Sequence, residues 1–220
     1  MDVGDLLARL FFGGLVLGPI GLIAWKIRRD LVDDVADMRS VALVRIANAG
    51  DEQMVRVAGR VVADHGERLT APVSGRACVA WELRFTTASR LDGCIIDRRE
   101  AVGFVLDDGS GRAHVAGSVA IWALSARSEG EGEGAGDDVP PPLAAWLAEN
   151  HASDEWRQMR RLRWRETRVE PSDEIAVVGI AHVGVDTEGE AATYRDAPRR
   201  VTIDGSDDAP LSIGDHPSLR

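Results

Sequence analysis

The chain has 220 residues, of which 45% are hydrophobic, and this is enough for one domain with its own core and a smaller appendage. A formal net charge of −10 argues against nucleic acid as a general partner, because phosphate binding needs a positive field over the contact surface. The two cysteines, Cys78 and Cys94, are too few for a disulfide framework and lack zinc-ribbon spacing, so we expect reduced thiols in a cytosolic compartment.

The first predicted element is a transmembrane helix at residues 6–25, with an N-terminal tail and flanks that extend the segment to residues 1–29. Its sequence, LLARLFFGGLVLGPIGLIAW, contains Arg9 as its only charged residue and is long enough to cross the hydrocarbon core. The flanks do not fit a cleaved signal peptide. Because Lys26, Arg28 and Arg29 follow the apolar run, the positive-inside rule predicts a single-pass protein of the cell (inner) membrane, with its N-terminus outside and its soluble part cytoplasmic.

A helical stalk is predicted over residues 30–50, since apolar residues recur there three and four positions apart. Beyond it the period changes to two, and MVRVAGRVVA and ACVAWELRF predict strands. We therefore expect a mainly β domain at residues 51–215, a small barrel-like or OB-like fold, followed by a tail at residues 216–220. With the span and one or two short helices, the fold class is α+β overall.

The middle of the chain contains three further predicted features. Val102 to Leu106 and Arg112 to Val115 flank a polar Gly-rich turn, which predicts a β-hairpin rather than a metal loop. The run SEGEGEGAGDD predicts a mobile acidic loop at residues 128–139. Prolines then precede a short helix predicted at residues 142–150.

The only basic cluster of the sequence is WRQMRRLRWRETR, at residues 156–168. Its alternation predicts a strand with arginines on the outer face. A solvated face is the favoured interpretation, ahead of contact with anionic lipid headgroups and, last, stacking on single-stranded nucleic acid. The arginines expected at a membrane or partner contact are Arg157, Arg160, Arg161, Arg163 and Arg165, with Arg168 added in the lipid hypothesis.

The run VRVAGRVVADHGERLTAPVSGRACVAWELRF resembles the opening of the GIDE domain, also called the beside-a-membrane (BAM) domain. The likeness extends over residues 54–184, through the hairpin after Phe104 and the closing segment WRETRVEPSDEIAVVGIA. One departure is Ser172, which stands where the family pattern has glycine after proline. The residues that match the family motif are Gly59, Leu69, Pro72, Ser74, Gly75, Cys78 and Glu166.

The resemblance implies a β-domain that works at a membrane surface, in a bacterial member of the family. The eukaryotic members are E3 ubiquitin ligases that use a C-terminal RING finger, which needs a series of Cys and His zinc ligands. This sequence has no cysteine after Cys94. Ligase activity is therefore not carried over from the resemblance.

No catalytic constellation, cofactor motif or metal motif is expected from the remaining residues. The five histidines lack HExxH or HxH spacing, and no nucleophile elbow or phosphate loop occurs. Three hypotheses follow. The first is a membrane-anchored scaffold or binding module with an unidentified protein partner. The second is a remnant or regulator of a peptidase or ligase system, in which Cys78 with Glu166 or a histidine forms a site, and the third is a structural module that contacts anionic lipid.

Overall fold

Thirteen β-strands and two short α-helices make up the part of the chain that this computed structural model describes, which is residues 33–62, 68–87, 94–125, 127–132, 138–150, 162–185 and 199–220. The helices are α1, residues 33–40, and α2, Pro141–Asn150. The strands are β1 Gln53–Val62, β2 Leu69–Thr70, β3 Ala77–Cys78, β4 Ala80–Thr87, β5 Cys94–Ala101, β6 Phe104–Asp107, β7 Arg112–Val115, β8 Ile121–Ala123, β9 Ser128–Gly132, β10 Leu162–Val169, β11 Glu174–Val185, β12 Arg199–Asp204 and β13 Ser212–Gly214. The mainly β prediction is confirmed.

Five of these strands close into a barrel in the order β1, β6, β7, β12, β11 and back to β1. All neighbours in this ring are antiparallel except β7 and β12, which are parallel. Strand β13 pairs with the first half of β11, on the edge whose second half pairs with β12, and β8 pairs with β13. The predicted barrel and the predicted hairpin, now β6 and β7, are therefore both present.

Alternation along each strand fills the barrel with aliphatic side chains. In β1, Val55, Val57 and Val61 are at most 1% exposed, while Arg56 and Arg60 point away from the interior. Opposite them, Leu106, Ile175 and Ile203 are fully buried in the same cluster. The barrel is thus held by apolar burial, as the valine alternation predicts.

A second unit is built from two long connections between barrel strands, the one from β1 to β6 and the one from β7 to β11. Four of their strands form an antiparallel sheet in the order β5, β4, β10, β9, and β2 and β3 pair with each other beside it. Helix α2 packs on one face of this sheet, where Leu143 and Leu147 join Trp81 and Phe85 in a separate core. The rings of Trp81 and Trp146 meet edge to face, with centroids 5.8 Å apart.

The predicted stalk at residues 30–50 is wrong in its second half. Helix α1 ends at residue 40, and residues 41–50 run along the barrel, where Ile46 is 1% exposed. Backbone hydrogen bonds from Val44 to Arg56 and from Arg56 to Ala42 attach this segment to β1. The edge of β1 supplies backbone hydrogen bonds to this segment, and the barrel buries Ile46, an apolar contact that a free helix would lack.

Two other predicted boundaries also change. The predicted tail at residues 216–220 is a packed 3-10 turn, Pro217–Leu219, because Leu219 is fully buried beside Met38 of α1. The predicted acidic loop at 128–139 is wrong in its first part: β9 pairs with β10, since Glu129 and Glu131 face arginines across the ladder. Helix α2 lies over the predicted helix at residues 142–150.

The predicted transmembrane segment, residues 6–25, lies outside the described residues. Within the described ranges, none of the helices has the length and apolar character that a bilayer crossing requires.

Candidate functional site

The residues of the family motif come from distant parts of the chain, and most of them meet at one point of the second unit. The turn at residues 71–75 follows β2, and Glu166 projects from β10 toward it. Leu69 and Cys78 pair across the β2–β3 ladder on either side of that turn. Gly59 is separate, because it belongs to β1 of the barrel and lies against Asp107 of β6.

Glu166 is the centre of this arrangement and is fully buried. Its Oε2 accepts hydrogen bonds from the backbone N–H groups of Val73, at 2.6 Å, and Ser74, at 3.2 Å. A buried carboxylate must be paired or hydrogen-bonded to be tolerated, and these donors supply part of that requirement. The carboxylate therefore fixes the turn onto β10.

The turn itself has a backbone that suits the motif residues. The Gly75 N–H donates to the carbonyl of Ala71 at 2.9 Å, and the Ala71 N–H donates to the carbonyl of Arg76 at the same distance. Gly75 has a φ of 67°, a left-handed conformation that glycine adopts without a steric penalty. Motif glycine and carboxylate thus serve the same local structure.

A chain of alternating charges leads from Glu166 to the surface. Arg168 donates from Nη1 to Oε1 of Glu166 at 3.1 Å and from Nε to Glu170 at 2.6 Å. Arg76 donates to the other oxygen of Glu170 at 2.7 Å. Although burial raises the pKa of Glu170, the hydrogen bonds from Arg168 and Arg76 outweigh it and leave that pKa below 4.5, its ordinary value.

This network overturns one sequence expectation. Arg168 is only 9% exposed and is committed to Glu166, Glu170 and Ser128, so it is not on the outer face that the lipid hypothesis needs. The alternation predicted for this strand places Arg168 on the same side as Trp164, which faces α2. Arg157, Arg160 and Arg161 lie outside the described residues.

Cys78, the cysteine of the motif, has a buried free thiol. Burial, followed by the nearby negative charge of Glu166, raises its pKa to about 12. Its Sγ lies 3.8 Å from the carbonyl oxygen of Leu69, the neighbour across the ladder. A thiol in this state is not a nucleophile near neutral pH, because the thiolate is the reactive form.

The opposite face of the four-stranded sheet carries charged side chains in rows across the strands. Arg163 pairs with Glu131 at 2.5 Å, and Arg165 lies 3.2 Å from Glu129. This charged face is defined by Glu82, Arg84, Asp97, Arg99, Glu129, Glu131, Arg163 and Arg165.

The charged face includes residues of β4 that were not predicted from the sequence. Arg163 and Arg165 were expected on an outer strand face and lie on one, with side chains 49% and 31% exposed. Sequence reasoning missed the contributions of β4, where Glu82 is 8% exposed and accepts hydrogen bonds from Arg99 and Thr167. The alternation of WELRFTT was the available signal, since it places Glu82 and Arg84 on one face.

In the described ranges, no group of three or more His, Cys, Asp or Glu side chains is arranged to hold a metal ion. Asp108, in the hairpin turn, accepts hydrogen bonds from Ile46, Ser110 and Gly111 instead. His182 pairs with Asp204 at 3.0 Å on the barrel surface.

Comparison with known proteins adds no relative: no family model, no curated protein and no solved structure matches the chain.

Proposed function

We propose that this chain is a membrane-anchored binding or scaffold module of the GIDE (beside-a-membrane) type, without catalytic activity of its own. In this proposal, residues 6–25 anchor it in the cell membrane, and the β-domain works at the cytoplasmic surface. Tethering raises the local concentration of the domain near membrane partners, so that modest affinity suffices.

The observation that carries the proposal is the convergence of the motif residues. Glu166 and the turn at Val73 and Ser74 are more than 90 positions apart, and yet one carboxylate joins them. The resemblance was based on short runs at both places, without any contact between them. Contact between these distant residues in one buried hydrogen-bond network supports the interpretation that they are parts of a single structural motif.

The barrel supports a binding role in a second way. A five-stranded Greek-key barrel is the architecture of the OB fold, which binds ligands through its strands and loops. In chain order, the barrel strands form the ring first, second, third, fifth, fourth, with the third and fifth parallel. We assign this domain to an OB-like class on that topology, with the second unit inserted in two of its connections.

The enzymatic alternative, which would use Cys78, is disfavoured by the environment of the thiol. Its pKa of about 12 and complete burial leave no thiolate for attack. Exchange of Cys78 for Ser tests this directly, because any activity found for the protein should persist in the variant if it is correctly folded. Loss of that activity in a folded Cys78→Ser variant would restore the enzymatic hypothesis.

The anchor can be tested by alkaline carbonate extraction of membranes that contain the full chain. We expect the wild type to remain in the pellet and a variant with Leu15→Arg and Leu17→Arg to be released, since each arginine at the centre of a span costs about 2.5–3.5 kcal/mol of insertion free energy. The matched control replaces the same two leucines by alanine and should stay in the pellet. Complete extraction of the wild type would refute the anchor.

The binding role needs a separate test on the intact protein in its native membrane. A photoreactive amino acid at position 163, on the charged face, and another at position 60, on the barrel, sample both units. We expect a reproducible protein adduct from at least one position. If neither position, nor further exposed positions on both units, gives an adduct with protein or lipid, the binding module is contradicted.

A further inference from the structure

The centre of the charged face contains two arginines in an unfavourable arrangement. Arg84 of β4 and Arg165 of β10 are register partners in the antiparallel ladder, so their side chains leave the sheet side by side. Like charges directly opposite each other on neighbouring strands are destabilising. Glu129 and Asp97 flank the pair on the outer strands, in the same row.

The Nε donors of both guanidinium groups have no hydrogen bond within the described ranges. The Nε of Arg165 lies 3.2 Å from Glu129 but outside hydrogen-bonding geometry, and the Nε of Arg84 is 3.7 Å from Asp97. Arg84 also approaches Glu82 at 3.3 Å. Both Nε atoms are buried with no hydrogen-bond partner in the described part of the chain. Buried donors without partners are rare in native proteins and call for an explanation.

A concavity of about 400 Å³ opens directly beside these groups. Arg84 and Arg165 line it together with Thr86, and the ion-paired side chains of Glu129, Glu131 and Arg163 complete its wall. The surface therefore combines space with two cationic groups whose Nε donors have no hydrogen-bond partner among the residues that the structure describes.

We propose that Arg84 and Arg165 form a binding site for a phosphate group. Guanidinium groups bind phosphate oxygens through pairs of parallel N–H donors, and a phosphate dianion neutralises two adjacent cations at once. The flanking carboxylates of Glu129 and Asp97 are 61% and 47% exposed, so they can turn toward water when the ligand enters. The phosphate belongs either to a soluble phosphorylated molecule or to a lipid headgroup.

This site differs from the lipid contact expected from the sequence. That hypothesis rested on a row of arginines in residues 157–168, whereas the site uses one of them, Arg165, with Arg84 from another strand. It does not depend on the proposed membrane anchor, because a soluble phosphate would occupy it equally well. Failure of the carbonate test would therefore leave this inference intact, and failure of phosphate binding would leave the anchor intact.

The experiment is calorimetric titration of the full chain in detergent with inorganic phosphate. We expect millimolar or tighter binding by the wild type and a loss of about tenfold or more in a variant with Arg84→Gln and Arg165→Gln, because each lost charge-assisted hydrogen bond weakens affinity by roughly that factor. The matched control, Arg60→Gln with Arg112→Gln, changes the net charge equally at exposed positions outside the site and should bind like the wild type.

Unfolding curves separate binding from folding. The double glutamine variant removes the like-charge contact. The midpoint of its unfolding transition should therefore lie at a denaturant concentration no lower than that of the wild type. A second variant, Arg84→Lys with Arg165→Lys, keeps both charges and should bind phosphate more weakly than the wild type, since lysine lacks the planar donor pair. Absence of phosphate binding by the wild type, or equal binding by the glutamine variant, would overturn the proposal.

The source of the phosphate can be identified in nanodiscs. If a headgroup occupies the site, inorganic phosphate should bind more weakly in discs that contain phosphatidic acid than in discs of phosphatidylcholine alone. Equal affinities in the two discs would support a soluble ligand. Both outcomes require the phosphate binding that the glutamine variant weakens.

Discussion

The barrel and the four-stranded sheet use the same alternation of side chains but bury different chemistry. In the barrel, every strand sends aliphatic residues inward, and the cluster that includes Val57 and Ile203 is apolar throughout. In the second unit, the face of β10 that packs toward α2 changes from Leu162 and Trp164 to the charged Glu166 and Arg168. Apolar burial tolerates many substitutions of similar volume, whereas a buried charge network depends on every partner.

The largest expected effect comes from removal of the central charge of the second unit. Glu166→Gln leaves Arg168 without its buried counter-charge and turns an amide N–H₂ toward other donors. We expect a loss of about 3–5 kcal/mol of unfolding free energy, measured by chemical denaturation of the full chain.

The matched control for this change is Glu131→Gln. It removes a carboxylate that pairs with Arg163 on the exposed face, where ion pairs contribute about 0–1 kcal/mol. Similar losses in the two variants would show that Glu166 is no more important than a surface charge. The proposed distinction between the two regions would then be wrong.

In the barrel, the corresponding sensitive position is a glycine. A Cβ at Gly59 would lie 2.6 Å from the carbonyl oxygen of Asp107 and 2.9 Å from its carbonyl carbon, and this neighbour is backbone. We therefore expect Gly59→Ala to lower the unfolding free energy by about 1–3 kcal/mol, as overpacking does elsewhere.

Gly184 of β11 provides the control, because a Cβ there meets nothing within 4 Å. Gly184→Ala should be neutral or should stabilise by about 0.5–1 kcal/mol, since alanine restricts the unfolded chain. If both substitutions have the same effect, close approach of β1 and β6 does not explain the motif glycine.

The next prediction concerns the attachment of residues 41–50 to the barrel. Asp108 accepts from the Ile46 N–H at 2.8 Å and from Ser110 and Gly111. Burial raises the pKa of Asp108, but these hydrogen bonds outweigh it, so the pKa lies below the ordinary value of 3.8. A depressed pKa means that the ionised carboxylate stabilises the fold above pH 3.8 and that this contribution is lost as the pH falls through the folded-state pKa.

Asp108→Asn should therefore lower the unfolding free energy by about 1–2 kcal/mol at neutral pH, and the difference from the wild type should shrink under acid. Denaturation curves at a series of pH values measure that difference. Ser110→Ala removes one donor and should give a smaller loss over the same pH range. A difference that stays constant down to the lowest pH would contradict the assignment.

Features that depend on local alternation of side chains could be predicted from the sequence. Features that depend on partners far away in the chain could not. The valines of β1 predicted the barrel wall, and the turn residues around Gly109 predicted the hairpin. By contrast, SEGEG of β9 has no strand propensity of its own and is ordered by Arg163 and Arg165 across the ladder. The burial of Arg168 was equally invisible, because it depends on Glu166 and Glu170 and on the turn that Glu166 fixes.

The link between the two regions gives the smallest expected effect. The turn at residues 170–173 joins β10 of the sheet to β11 of the barrel, and its Ser172 has a φ of 77°. The Ser172 N–H donates to Val61 of β1 at 2.7 Å, and Asp173 donates to the carbonyl of Glu170, so the turn is fixed from both sides. A proline followed by a residue with positive φ is the signature of a type II turn, in which glycine is preferred.

Ser172→Gly should thus raise the unfolding free energy by about 0.4–1 kcal/mol. Glycine removes the backbone strain of the folded turn, and this gain exceeds the loss that comes from the greater conformational freedom of glycine in the unfolded chain. Ser172→Ala is the matched control, since it keeps a Cβ in the same conformation and should give no gain. Both values come from chemical denaturation. Stabilisation by alanine as well as glycine would locate the effect in the serine hydroxyl rather than in the backbone, and the glycine of the family pattern would then have no conformational reason at this junction.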